Sequence, residues 1–317
     1  MGEKLQAQES EEIAASPESR WGDVGKILEI MNEGEVTKIM KLEDILSNVS
    51  EHANEVDYAE ITPPLVESMS ALEEIEIQLA GLTLKCIFKP GRGEDKGIIT
   101  KCTHQEKGEG FKNFYPREAA AYLIDRHFGF DVIPPTVIRN IPGEGPGSLR
   151  LYVDPELYDI ASDIPKTVQE GEHYQSIAAL DWLMANWDRK SQDYFYRRDD
   201  PKRLVAIDNA YCLMHIIYSD PQADPRNGRG PHYALTYDYN KGRPRNTPLP
   251  EHVVEKVKKG LEKRDALQTK LVELGIPERD ISAMWKRAEV MLSAGKYLSR
   301  LNTQISDISF EYKIKVL

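Results

Sequence analysis

The chain has 317 residues, 40% of them hydrophobic and 29% charged, which is enough for one sizeable core or two lobes. Its net charge of −11 argues against a general nucleic-acid binder, because that function rests on Lys and Arg neutralising phosphates. No stretch approaches the roughly eighteen consecutive apolar residues of a membrane span, and MGEKLQAQESEE has no apolar signal core, so the expected compartment is the cytoplasm.

Residues 1–20 are polar and acidic and are expected to form a disordered tail. Met1-Gly2 superficially fits a myristoylation start, but Gln6 stands where Ser or Thr is needed. In residues 21–55, VGKILEIMNEG and VTKIMKLEDILSNV carry apolar residues at helical spacing, which predicts an N-terminal helical extension of two short helices. From Ile75 the period changes to two. Ile75, Ile77 and Leu79, then Leu82, Leu84, Cys86 and Phe88, form a predicted hairpin around Gly81 that closes on Lys89-Pro90. The connection from Gly91 to Tyr115 is long, charged and expected to be mobile; within it, Cys102-Thr103-His104 lacks a second pair at zinc-ligand spacing. Three widely spaced cysteines fit reduced thiols.

Pro116-Arg117-Glu118 opens a predicted helix that ends at Gly129, with proline in the first turn where its missing N–H costs nothing. Val132 to Ile138 and Leu149 to Val153 read as strands around a turn at Pro142–Gly147. The block 56–153 is thus β-rich, and the remainder, 154–317, mostly helical. Tyr174 to Trp187 predicts a buried helix that feeds NWDRKSQD, after which Tyr194–Tyr196 and Leu204–Ile207 read as a short hairpin ending on Asp208. Residues 214–250 form a long Pro/Gly/Asn-rich loop bearing Arg226, Arg229, Lys241, Arg243 and Arg245, and the last third returns to helix on both sides of Gly275-Ile276-Pro277.

The central stretch places three carboxylates, Asp188, Asp193 and Asp208, at the ends of a loop and two strands. Like charges packed closely repel and raise one another's pKa, so such a grouping calls for a compensating cation. A divalent metal with nucleotide phosphate is the natural one, and an atypical kinase the matching enzyme. A strand Lys followed by a helix with an early Glu is, in turn, the pair that holds ATP phosphates in kinases.

FKP at 88–90, PREAAAYLIDRHFG at 116–129, VIPPTVI at 132–138, NWDRKSQD at 186–193 and AIDNA at 206–210 resemble the phosphatidylinositol 3-/4-kinase-like superfamily, its small bacterial members above all and the HipA-type kinases more distantly. The resemblance spans roughly residues 65–300. It implies an α+β, two-lobed protein-kinase-like fold and an ATP-dependent phosphotransferase that uses Mg2+ or Mn2+ and acts on a hydroxyl of a protein, small molecule or lipid. It implies that Lys89 contacts the α/β-phosphates, Glu118 holds that Lys, Asp188 serves the acceptor hydroxyl, and Asp193 and Asp208 bind metal. Ser68 and Ser70 would lie over the phosphates, and Tyr152 and Val153 would face adenine. Asp193 replaces the usual Asn, Lys190 replaces a common His, and no glycine lies between Glu67 and Glu74. The rival reading is a pseudokinase that works as a nucleotide-binding interaction module.

Overall fold

The computed structural model describes residues 20–41, 73–94, 113–154, 158–160, 168, 171–186, 189, 193–213 and 248–297. The first part is built on a five-stranded antiparallel sheet in the order β1-β2-β3-β5-β4. The strands are β1 (Glu35–Lys41), β2 (Glu73–Leu79), β3 (Leu82–Pro90), β4 (Thr136–Ile141) and β5 (Gly145–Leu151). Helix α1 (Val24–Glu33) precedes β1, and α2 (Tyr115–Phe128) lies between β3 and β4. The second part is mostly helical: α3 (Glu172–Met184), α4 (Glu251–Glu262), α5 (Arg264–Glu273) and α6 (Glu278–Ala294), with a small three-stranded sheet of β6 (Tyr158–Ile160), β7 (Tyr194–Arg197) and β8 (Leu204–Ala206). This is the expected α+β architecture, a β-rich first part and a mostly helical second.

Strand alternation sorts the first sheet into two faces. Ile75 and Ile77 of β2, Cys86 and Phe88 of β3 and Leu149 of β5 point one way and bury Ile30 and Met31 of α1 in a shared apolar cluster. Arg139 of β4 fastens that helix by donating to the carbonyls of Met31 (2.7 Å) and Gly34. Lys89, Ser148 and Arg150 take the opposite face, with Lys89 in register with Ser148 and Ile87 with Arg150. Helix α2 packs against β4 and β5 while its Ala120, Ala121, Ile124 and Phe128 join the large core made with α3, α4, α5 and α6. It is an element common to both halves.

Local chemistry explains the ends of α2. Pro116 sits in the first turn, and Gly129 at φ 70° takes the left-handed conformation that closes the helix, its N–H reaching the Arg126 and Asp125 carbonyls. Asp125 lies at the buried end and accepts from the amides of Val132 and Ile133 at 3.0 Å each, which fixes the turn into β4.

Several boundaries differ from expectation. The second predicted N-terminal helix is, as far as Lys41, the strand β1; residues 42–49 lie outside the described residues. β4 starts at Thr136, not Val132, because Pro134 and Pro135 cannot donate to a ladder. β5 starts at Gly145, so the turn is shorter than Pro142–Gly147. The helix before Gly275 is two, α4 and α5, broken at Lys263. Cys86 and Cys212 are free, buried thiols, and burial lifts the pKa of each to about 12.

Candidate active site

Lys89 leaves β3 on the face that meets α2, and its Nζ donates to Glu118 Oε1 at 2.6 Å and to Asp208 Oδ1 at 2.7 Å. Sequence positions 89, 118 and 208 thus converge on one ammonium. Glu118 is nearly buried, with its side chain 4% exposed, whereas Lys89 and Asp208 are 29% and 37% exposed and so partly open to solvent. Burial alone would lower the pKa of Lys89; the carboxylates of Asp208 and Glu118 outweigh it and raise it, so the amine is cationic. The alternative of a solvated strand-end lysine is thereby removed.

Glu118 does more than hold Lys89. Its second oxygen accepts the backbone N–H of Asn209 at 3.0 Å, so one carboxylate fixes both the lysine and the chain on which Asp208 sits. Asp208 itself has φ 55°, the left-handed region that Asp tolerates better than most residues. The backbone on its other side is held too: the Ile207 N–H donates to the Asp193 carbonyl at 3.0 Å.

A buried arginine underlies this loop. Arg189 donates from Nε to Asp181 Oδ2 at 3.0 Å and from Nη2 to Asp181 Oδ1 at 2.8 Å, and also reaches the Ile207 carbonyl and Asn209 Oδ1. Asn186 adds a bond to the same Asp181 at 3.1 Å. Arg189 therefore ties the end of α3 to both residues flanking Asp208. A second buried arginine, Arg117 of α2, donates to the Cys212 carbonyl at 2.7 Å and to Asp280 of α6 at 3.1 Å. The metal-loop candidate is thus anchored before and after Asp208 by cations from two different helical neighbourhoods.

Asp193 begins the small hairpin and is buried; its carbonyl meets Ile207 N–H, while the charge on its side chain helps to raise the pKa of Arg189 against burial. Among the described residues no cluster of three or more metal-ligating side chains occurs. Tyr152 and Val153 follow β5 directly, half-buried and buried, with Tyr152 N–H donating to the Lys85 carbonyl at 3.0 Å. Asp188, Ser68, Ser70 and Lys190 lie outside the described residues, as does the Cys102/His104 pair.

The sequence reading missed Arg150. It stands on the Lys89 face of β5, and its Nη1 is buried without a hydrogen-bond partner. Burial lowers its pKa and the charges of Glu118 and Asp208 oppose that, which puts the guanidinium in the same electrostatic neighbourhood as Lys89. Its strand alternation with Ser148 was the signal that could have found it. Arg189, Asp181 and Asn209 gave no comparable signal, because their meeting depends on the packing of α3 beneath the loop.

Two crystal structures of the Golgi casein kinase, one with Mn/ADP bound, are similar to this chain at a TM-score of 0.48 each. Their sequence identities are 12% and 13%, over 86% and 89% of this chain and 75% and 76% of theirs. The Helicobacter pylori proinflammatory kinase CtkA aligns at a TM-score of 0.33 and 9% identity, over 77% of this chain and 91% of its own. No protein-family model matches the sequence, and no curated protein matches it. Among the described residues no helix is long and apolar enough to cross a membrane.

The side chains present fit a nucleotide with a divalent cation. An orphaned, buried guanidinium nitrogen on Arg150 and a cationic Lys89 suit phosphate or base acceptors, and the half-exposed carboxylate of Asp208 is the hard oxygen donor that Mg2+ or Mn2+ takes.

Proposed function

We propose that the protein is an ATP-dependent phosphotransferase of the phosphatidylinositol 3-/4-kinase-like kind, moving the γ-phosphoryl group of ATP to a hydroxyl of a protein, small molecule or lipid. One observation carries this reading: Lys89 held at 2.6 Å from Glu118 and 2.7 Å from Asp208. Phosphoryl transfer asks a protein for positioning and charge neutralisation, and the strand-Lys to helix-Glu pair beside a metal-binding Asp is the arrangement kinases use for it.

In this reading Lys89 donates to the α/β-phosphates, and Glu118 keeps the ammonium aimed while fixing Asn209 N–H. Asp208 and Asp193 hold the divalent cation, which neutralises phosphate charge when bound. Asp188 orients or deprotonates the acceptor hydroxyl, Ser68 and Ser70 cover the phosphates, and Tyr152 and Val153 border the adenine. The exposure of Lys89 and Asp208, against the burial of Glu118, supports the division between groups that meet ligand and the group that positions them.

The test is ATP turnover and autophosphorylation with Mg2+ or Mn2+ in the wild type and in Asp208→Asn. We expect metal-dependent turnover that the substitution reduces by about 100-fold or more. Unchanged turnover in Asp208→Asn removes the metal role, and absence of turnover alongside retained nucleotide binding favours the interaction module.

A further inference from the structure

Glu94 lies five residues beyond Lys89, just after the short helical turn Gly91–Gly93 that ends β3. Its carboxylate reaches across to the beginning of α2. Oε2 accepts the backbone N–H of Phe114 at 2.7 Å, and Oε1 accepts that of Tyr115 at 2.6 Å. Those amides are among the ones a helix start leaves without an internal partner, and α2 has no side-chain cap of its own. The bidentate carboxylate therefore caps the helix from outside, with 19 residues of chain between Glu94 and Phe114. The junction is tight: a Cβ on Gly91 would stand 2.8 Å from the Tyr115 ring.

We infer that Glu94 is a positioning residue of the kinase centre, a clamp that joins the strand carrying Lys89 to the helix carrying Glu118 and so sets the distance between them. The inference rests on the phosphotransferase reading above. Glu118 lies three residues after Tyr115, one helical turn from the clamped amides, so loosening the helix start releases the carboxylate that holds both Lys89 and the Asn209 amide. Phe114, whose amide is clamped, also places its ring 4.8 Å from that of Tyr211, beyond Asp208, so the clamp bears on the metal loop as well.

Charge matters to this clamp. A carboxylate offers acceptors to both amides; the neutral acid presents one good acceptor and a hydroxyl. Burial raises the pKa of Glu94 to about 7, with the two amide bonds and the charge of Lys89 lowering it and Glu118 raising it further. Arg92, on the same turn, is directed elsewhere, to Glu73 and Glu144. The sign follows from a folded pKa above the unfolded one. Protons favour the folded state between the two values, so this group's contribution to stability falls as pH rises to about 7, while the clamp becomes complete over the same rise. Activity and stability are thus expected to move in opposite directions, which a purely structural cap would not produce.

The experiment is kcat/KM for Mg-ATP from about pH 5.5 to 8.5 in wild type, Glu94→Gln and Glu94→Ala, with urea unfolding of each at the same pH values. The expected result is a wild-type limb that rises through about pH 7, a flat Glu94→Gln profile at the wild-type low-pH level, and a loss of about 10- to 100-fold in Glu94→Ala. Glu94→Gln is expected to be at least as stable as wild type at neutral pH, which separates misalignment from unfolding. An active wild type whose profile is shared by Glu94→Gln, or variants whose activity loss follows their stability loss, overturns the clamp alone. A wild type without Mg-ATP turnover overturns the kinase reading on which it stands.

Discussion

Two regions of the molecule use the same chemistry to different ends. At the bottom of the loop, Arg189 and Asp181 meet with side chains 0% and 2% exposed, and Arg117 and Asp280 with 2% each. Above it, Lys89 and Asp208 meet with 29% and 37% exposed. A buried ion pair cannot exchange partners without leaving a charge in low dielectric, so it acts as a fixed joint. A half-exposed pair keeps access to water and can trade one partner for a ligand. Burial therefore divides the acidic and basic residues into those that shape the loop and those available to a ligand.

The contrast breaks most readily at the joints. Arg189→Met leaves Asp181 and Asn209 without their cation, and we expect a loss of about 3 to 5 kcal/mol in urea unfolding. Replacing Arg117 and Asp280 together by apolar residues is expected to cost less than removing either alone, because no charge is then stranded. At the Lys89 site the expectation reverses. Lys89→Met should weaken ATP binding about 10-fold or more by calorimetry, and, with Asp208 partly exposed and Glu118 keeping the Asn209 amide, it should cost less stability in urea unfolding than Arg189→Met. A Lys89→Met protein that unfolds would place Lys89 among the joints.

Acid offers a smaller effect. His173, beside Arg20 at 3.3 Å, has its pKa lowered to about 4 by burial and by that guanidinium. The unfolded chain takes up this proton near the ordinary histidine value of about 6.5, so the stabilisation is complete above that pH and declines as pH falls towards 4. His173→Gln should flatten that part of the stability profile. Smallest is the solvent pair Lys26–Glu29, 35% and 46% exposed, where Lys26→Gln should change stability by about 0.2 to 0.5 kcal/mol.

The sequence announced the parts whose signals are local. Pro116 and Gly129 bracket α2, alternation marks β2, β3, β7 and β8, and Lys89 with Glu118 follows from a strand lysine and an early helix acid. β1 was concealed by its own irregularity. Val36 and Ile39 pair with Ile77 and Ile75, so three residues of β1 match two of β2 across a register shift between Val36 and Lys38. An extra residue in the strand turns a period of two into a spacing of three, which reads as helix. Glu94 meets amides 20 and 21 residues away, and Arg189, only eight residues from Asp181, also bonds Ile207 and Asn209 at separations of 18 and 20, contacts that no local periodicity encodes. Asp193 and Asp208 were expected together as carboxylates; the described contact between their segments is a backbone bond from Ile207 to Asp193.

The placement of α1 and β1 bears on how the protein can be handled. β1 covers one margin of β2, and α1 shields the apolar side made by Ile75, Ile77, Cys86 and Phe88. A shortened version starting beyond Lys41, trimmed to the stretch that carries the catalytic candidates, would bare a row of unpaired strand amides next to uncovered aliphatic surface. Such a fragment is set up to self-associate through that margin.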